Sequence, residues 1–344
     1  MNKKVLVGMS GGVDSSVTAL LLKEQGYDVI GVTMLMWDGG SAAIEDAKAV
    51  ADVLHIRHEV LDFRKEFQRD IIDYFTESYL HAQTPNPCVV CNRKIKWEAL
   101  LKRADELGAE AIATGHYARL QELPNGRMAI RNSEFAQKDQ TYVLYSLSQE
   151  QLRRTIMPLG EYTKDQVRKL AEEAGLVVAS KKDSQDICFI PDSDYTAFLQ
   201  KEIPNRLPPE GNFVTKEGKV LGRHGGITNY TIGQRKGLGI AFGHPMYVSQ
   251  IRPETNEVVL SDEDVYGNEL RMNRLYFMGL EDMKEPMRLW ARTRYAHKGE
   301  WCQVSREGED ILHLIFENPV RAITPGQTCV LYDGEYVMGG GTIL

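Results

Sequence analysis

The sequence predicts an α/β protein, a doubly wound parallel sheet followed by two small β-rich domains, and three observations carry that expectation. An apolar run, Val5 to Met9, opens onto Ser10-Gly11-Gly12-Val13-Asp14-Ser15-Ser16 and then onto a helical pattern bearing Val17, Leu20, Leu21 and Leu22. Strand-like and helix-like stretches alternate from there to about residue 195. Beyond the proline-rich segment Ile203 to Gly211 the period changes, and short strands are separated by Glu217-Gly218, Glu307-Gly308 and Asp333-Gly334 turns.

Taken in order, Val29 to Met34, His58 to Phe63 and Ala109 to His116 read as buried strands. Between them Ala43, Ile44, Ala47, Val50, Ala51 and Leu54 recur at helical spacing, as do Leu100, Leu101, Ala104 and Leu107, ended by Gly108. The expected domains are 1–202, 203–262 and 263–344. With 344 residues, 42% hydrophobic and 26% charged, the chain is long enough for two or three cores. The amino-terminal apolar run stops after five residues, so neither a signal peptide nor a spanning helix is expected, and the protein is expected in the cytoplasm, away from membranes. Five cysteines in such a chain argue for thiol chemistry or a metal site over a disulfide scaffold.

The first loop is the centre of the chemistry. A strand feeding a glycine-rich turn into a helix N-terminus makes an anion site: amides from Ser10 to Asp14 converge, Gly11 and Gly12 allow close approach, and the helix dipole adds positive potential. An ordinary tight strand–helix turn capped by Asp14 and Ser15 is the plainer alternative. Walker's Gly-Lys-Ser/Thr is missing, so no lysine of the loop itself serves a β- or γ-phosphate. The loop resembles the Ser-Gly-Gly-x-Asp-Ser signature of the PP-loop ATP pyrophosphatases, which split ATP between the α and β phosphates. That resemblance implies ATP held by Gly8, Met9, Ser10, Gly11, Gly12, Val13, Asp14 and Ser15, with Mg2+ on Asp14. Met34 and Gly115, at the carboxyl ends of later strands, join the expected nucleotide site.

Thr84-Pro85-Asn86-Pro87-Cys88-Val89-Val90-Cys91 joins one helix to the next, and Cys91 is expected at a helix start beside Arg93 and Lys94, which would lower its pKa. Cys-x-x-Cys alone fits thiol exchange, half a zinc site or chance. A third cysteine, Cys188, follows Lys181-Lys182 in an expected loop. At this point the chain closely resembles the bacterial and organellar tRNA-specific 2-thiouridylases, through SGGVDSS at 10–16, TPNPCVVCN at 84–92, GHY at 115–117, KDQTY at 138–142, the Cys188 segment, GQRKGLGI at 233–240, RTRY at 292–295 and TPGQ at 324–327. The resemblance implies a persulfide on Cys188, delivered by a sulfur-relay protein or cysteine desulfurase, with Cys91 attacking or resolving it and leaving a Cys91–Cys188 disulfide.

Many relatives carry aspartate where this chain has Cys88. Two alternatives stay open: Cys88 replaces that aspartate, or Cys88, Cys91 and Cys188 hold a [4Fe-4S] cluster with one iron open for sulfide. Cys302 and Cys329 read as structural. For tRNA the resemblance implies Asn86, Pro87 and Cys88 around a flipped base, His116 near it, Lys138, Asp139 and Gln140 on the RNA, and Arg294, Tyr295 and Gln327 from the C-terminal barrel. Arg93-Lys94-Ile95-Lys96, Lys181-Lys182, Arg235-Lys236 and Arg288 through Lys298 are local basic stretches in a chain of net charge −7, each taken singly a solvated face. The expected reaction is ATP-dependent 2-thiolation of uridine 34 in tRNAs for Lys, Glu and Gln; another PP-loop synthetase or amidotransferase is the alternative, and it would not need Cys91 and Cys188.

Overall fold

A computed structural model describes residues 3–181 and 187–344; residues 182–186, including the second lysine of the Lys181-Lys182 pair, lie outside the described residues. In the first half the strands are β1 (Lys4–Gly8), β2 (Asp28–Leu35), β3 (Arg57–Asp62), β4 (Ala111–Ala113), β5 (Arg119–Glu122), β6 (Met128–Arg131) and β7 (Thr155–Ile156). Five of them form a parallel sheet in the order β3-β2-β1-β4-β7. β1 is central because Val5, Leu6 and Val7 are apolar toward both faces, and all three are fully buried. The strand order reverses between β1 and β4, so the Ser10–Ser15 loop emerges at the switch point where such sheets bind ligands.

Helices α1 (Val13–Glu24) and α2 (Ser41–Leu54) follow β1 and β2. A continuous helix, α3, runs through Arg64–Phe67, Gln68–Ile72 and Asp73–Leu80, and another, α4, through Pro87–Val90, Cys91–Trp97 and Glu98–Leu107; the middle segment of each is π-helical. Short helices α5 (Gln149–Arg153), α6 (Lys164–Glu173) and α7 (Tyr195–Glu202) complete this half. The expected strand Ala109–His116 shrinks to β4. Ala109 N–H closes the end of α4 on the Ala104 carbonyl (2.8 Å), and the chain turns away at Gly115.

After α7 the strands β8 (Gly211–Val214), β9 (Val220–His224), β10 (Tyr247–Arg252) and β11 (Glu257–Ser261) make a small sheet in the order β10-β11-β8-β9. The proline-rich segment before it is not a free tether: Ile203 and Leu207 pack on the Phe67 and Phe75 cluster, and Arg206 pairs with Glu77 at 2.6 Å. Then β12 (Tyr266–Phe277), β13 (Met287–Arg292), β14 (Glu300–Arg306), β15 (Leu312–Arg321), β16 (Thr328–Asp333) and β17 (Tyr336–Ile343) run in the order β12-β15-β14-β13-β16-β17. β17 pairs back onto β12, so the six strands close into a barrel around Met272, Leu289, Cys302, Leu314 and Cys329. Sequence alternation missed one feature here: the β5–β6 hairpin of the first half pairs with β17 through Arg131 and Tyr336, and so belongs to the barrel's sheet. Among the described residues no helix is long and apolar enough to cross a membrane.

The barrel turn Thr324–Gln327 docks on the segment that precedes the first cysteine. Thr84 N–H donates to the Pro325 carbonyl (2.9 Å), Gln327 Nε2 donates to the Thr84 carbonyl (2.9 Å), and Thr84 Oγ1 reaches Thr231 Oγ1 of the middle domain (3.4 Å). Gly326 permits this approach: its φ is +86° and a Cβ there would stand 2.8 Å from Gln83 Cβ and 2.9 Å from Thr84 N. Gly326→Ala is therefore expected to cost about 1–3 kcal/mol and to speed hydrogen exchange at the Thr84 amide. Unchanged Thr84 protection in that variant would show that Gly326 does not hold the junction.

Candidate active site

The loop after β1 is organised by its own hydroxyls. Ser10 N–H donates to Ser15 Oγ (3.0 Å), and Ser15 Oγ and Ser16 Oγ donate to the Gly12 carbonyl (3.2 and 2.8 Å). The Ser10 amide is thus spent inside the loop, while no side chain caps the first turn of α1, whose amides stay directed to the loop's open side. Gly11, at φ +68°, is needed because a Cβ would lie 2.4 Å from the Ala43 carbonyl oxygen, so its small size serves α2 and not a ligand. Gly12 has only Ser10 Oγ, at 3.4 Å, near its would-be Cβ. Gly115 backs the loop: a Cβ there would be 2.8 Å from Asp14 C and Ser15 N. Gly8 ends β1; Met9 and Val13 are buried; Met34, at the end of β2, is half-buried between two clusters.

Two lysines from distant sequence stand at this loop, which local pattern reading missed. Lys164, the first residue of α6, donates from Nζ to Asp14 Oδ1 at 2.7 Å, and Tyr117 OH donates to the same oxygen at 2.7 Å. Lys181 Nζ donates to the Gly11 carbonyl (2.9 Å) and pairs with Asp46 (2.5 Å). Thr163, the capping-box residue that starts α6, was the one sequence signal that could have placed Lys164 at a helix mouth.

The sulfur residues lie along α4 and the 187–190 segment. The helix starts at Pro87, with Asn86 as its N-cap, so Cys88 occupies the first turn and Cys91 the second. The expected low pKa of Cys91 is overturned. It is buried with Phe67, Phe75, Ile95 and Phe189, and desolvation pushes its thiol up to about 12. Its sequence neighbours do not compensate, because Arg93 lies over the Tyr276 ring (4.9 Å) and Lys94 pairs with Asp70 (3.7 Å). Desolvation by the surrounding protein also raises the pKa of half-buried Cys88 and of Cys188, whose side chain still reaches solvent. Cys188 and Cys88 both act electrostatically on Cys91, so the fold gathers the three thiols. They are free thiols, and among the described residues no group of three or more His, Cys, Asp or Glu side chains converges tightly enough to hold a metal. A [4Fe-4S] cluster does not fit that arrangement.

His116 follows Gly115 and is half-buried against Trp97 (5.4 Å), with Nδ1 3.0 Å from Thr114 Oγ1. Desolvation, helped by Lys96, drives its pKa down to about 3, so it is neutral at physiological pH and serves hydrogen bonding, not phosphate attraction. The other residues read as RNA contacts divide. Asp139 accepts from Ser133 N–H (2.9 Å), Thr141 N–H (3.2 Å) and Thr141 Oγ1 (2.6 Å), and Gln140 Oε1 accepts from Tyr117 N–H (2.9 Å). Asp139 thus braces the 133–141 turn and also pairs with Arg292 of the barrel (3.7 Å), while Gln140 ties that turn to the segment after β4. Arg294 donates from Nη2 to the carbonyls of Arg321 (2.6 Å) and Ala322 (2.5 Å), half-buried as a brace of the barrel. Lys138 is half-buried and Tyr295 exposed, its hydroxyl 3.3 Å from the Asp139 carbonyl. Arg235 and Lys236 are exposed in the glycine-rich loop. An open cleft of about 670 Å³ lies between the start of α7, residues 229–234 and Arg294.

Comparison with known proteins accounts for this assembly along the chain. A family described as the tRNA methyl transferase HUP domain matches residues 3–192, a PRC-barrel domain of the same group matches 196–262, and an aminomethyltransferase beta-barrel domain matches 267–343. A tRNA-specific 2-thiouridylase MnmA of Lachnoclostridium phytofermentans is 51% identical over 99% of this chain and 99% of its own. Those of Clostridioides difficile and Clostridium acetobutylicum are 48% and 51% identical, over 100% of this chain and 98% and 100% of theirs. With identity at that level along its whole length, and with the glycine loop and the gathered cysteines in place, the chain belongs to the tRNA-specific 2-thiouridylase family of enzymes.

Proposed function

We propose that this protein is an ATP-dependent tRNA sulfurtransferase that converts uridine 34 of tRNAs for Lys, Glu and Gln to 2-thiouridine. One observation carries the reading: Gly115 packs on the Asp14–Ser15 backbone while its neighbour His116 and all three thiols feel the same Lys96 charge, so nucleotide loop and sulfur residues share one edge of the sheet. ATP lies with its phosphates over the uncapped first turn of α1, flanked by Lys164 and Lys181. Asp14 is a fitting ligand for Mg2+, since that ion is commonly held by one or two carboxylates plus substrate phosphates, and the bound ion would screen the phosphate charge. Lys164 and Tyr117 orient the Asp14 carboxylate, and Lys164 supplies its counter-charge.

In the first step uridine O2 attacks the α-phosphate, its bond to the β-phosphate breaks, and pyrophosphate leaves. In the second, the outer sulfur of a Cys188 persulfide attacks C2 and AMP departs with O2. The Cys91 thiolate then attacks Cys188 Sγ, forming the Cys91–Cys188 disulfide and releasing the outer sulfur with its electron pair on the tRNA; an external thiol reductant resets the pair. The sulfur on Cys188 comes from a relay protein or a cysteine desulfurase. Asn86, Pro87 and Cys88, held in place by the Thr84 junction, face the extruded base.

Cys188→Ser is expected to abolish thiolation while pyrophosphate exchange in the presence of tRNA continues; loss of both would remove Cys188 from the second step. Asp14→Ala is expected to lower formation of adenylated tRNA by about 10²-fold or more, and normal adenylation in that variant would end the role given to the loop. Arg294→Ala is expected to lower the melting temperature while leaving the salt dependence of tRNA binding unchanged, because its guanidinium is bound to barrel carbonyls. A shallower salt slope would put it back on the RNA phosphates.

A further inference from the structure

The sulfur site is electrostatically lopsided. Cys91 is buried among aromatic rings, and partial desolvation opposes the ionised form of half-buried Cys88 and of Cys188 as well. A thiol or persulfide held as a neutral acid is a poor nucleophile. Some group must offset that cost.

The geometry of α4 supplies one. Over Cys91–Trp97 the helix is π-helical, with i to i+5 closure in place of i to i+4, so Lys96 lies one wide turn beyond Cys91 and Asn92, on their side of the helix. Its Nζ donates to Asn92 Oδ1 at 2.9 Å, and Asn92 is fixed in turn by donating from Nδ2 to the Val143 carbonyl at 3.0 Å. Next in sequence, Trp97 is fully buried and anchored by Nε1 on Thr155 Oγ1 (2.8 Å), which prevents this face from rotating away. Phe189 and Ile190, directly after Cys188, pack in the same cluster as Cys91 and Ile95, which brings the 187–190 segment over this turn. The titratable groups around the site are Cys88 and Cys91 from α4, His116 from the segment after β4, and Cys188. Lys96 acts on each of them, and among the described residues no carboxylate and no second cation does. His116, neutral, adds no charge.

We propose that Lys96 is the counter-charge of the reacting sulfur: tethered through Asn92 on the π-helical turn, its ammonium stabilises the anionic sulfur on Cys188 and Cys91 and makes it nucleophilic at neutral pH. This rests on the assignment of those cysteines as sulfur carriers under Proposed function. The π-helical turn has a purpose in this account, since regular α-helical winding would carry residue 96 farther round the axis from residue 91.

The test is the pH profile of iodoacetamide alkylation at Cys188 and Cys91, followed by peptide mass spectrometry on reduced full-length protein, alongside tRNA thiolation by the same preparations. In Lys96→Met the Cys188 profile moves to higher pH and alkylation at pH 7.5 slows about tenfold. Lys96→Arg, which keeps the charge, stays near the wild-type profile, and Asn92→Leu, which frees the tether, falls between. Lys96→Gln replaces the methionine variant should that one not fold. Superimposable profiles for wild type and the uncharged variants would overturn the inference, as would equal loss in Arg and Met variants whose melting curves match the wild type. Wild-type protein that alkylates as expected but fails to thiolate tRNA would instead defeat the reading of function, leaving the Lys96 charge effect standing.

Discussion

The hold of the barrel turn Thr324–Gln327 on the Thr84 backbone is the constraint on which the site depends. Residues 83–86 are a non-helical stretch between two helices, and Pro85 within it and Pro87 at the start of α4 deny it regular backbone pairing. The Gln83 amide closes the preceding helix on the Ser78 carbonyl, and beyond it the direction of the stretch is not set by local pairing. Pro325 and Gln327 satisfy both polar groups of Thr84, and Gly326 lets the two backbones touch. The start of α4, and with it Cys88 and Cys91, is thus aimed by a domain that begins some 180 residues later in the chain. The β5–β6 hairpin, paired with β17, ties the same barrel to the parallel sheet on another side.

Charge is distributed by the same logic of distant partners. The loop after β1 has no lysine of its own, and the fold brings Lys164 and Lys181 to it from the mouth of α6 and the chain beyond. At the other end of the site the basic run 93–96 separates by side-chain direction: Arg93 leaves for an aromatic face of the barrel, Lys94 for Asp70, and Lys96 for Asn92 beside Cys91. Near Cys91 desolvation outweighs the helix dipole and the nearby basic residues, which is why its thiol is pushed up to about 12 instead of down.

Several polar residues that read as RNA ligands are braces. Asp139 collects backbone amides of its own tight turn, and Gln140 accepts the Tyr117 amide from the segment after β4, a use open to any short carboxylate or amide beside unpaired N–H groups. Arg294 donates from Nη2 to the carbonyls of Arg321, the last residue of β15, and of Ala322. These side chains stabilise the surface from which Tyr295 and the exposed Arg235-Lys236 loop project.

The sequence by itself determined the parallel sheet, the loop at its first strand, the change to β structure after residue 203 and the cysteines of interest, because each is written in local period, glycine placement or residue type. The start of α4 was also written there, in Asn86-Pro87, a stronger start signal than the expected one at Cys91. The sequence could not show the hairpin's place in the barrel sheet, the lysines at the loop, the direction of thiol acidity or the role of Lys96. Those properties depend on which side chains and strand edges meet across long stretches of chain, and on how much water that meeting removes, and only the tertiary structure decides either.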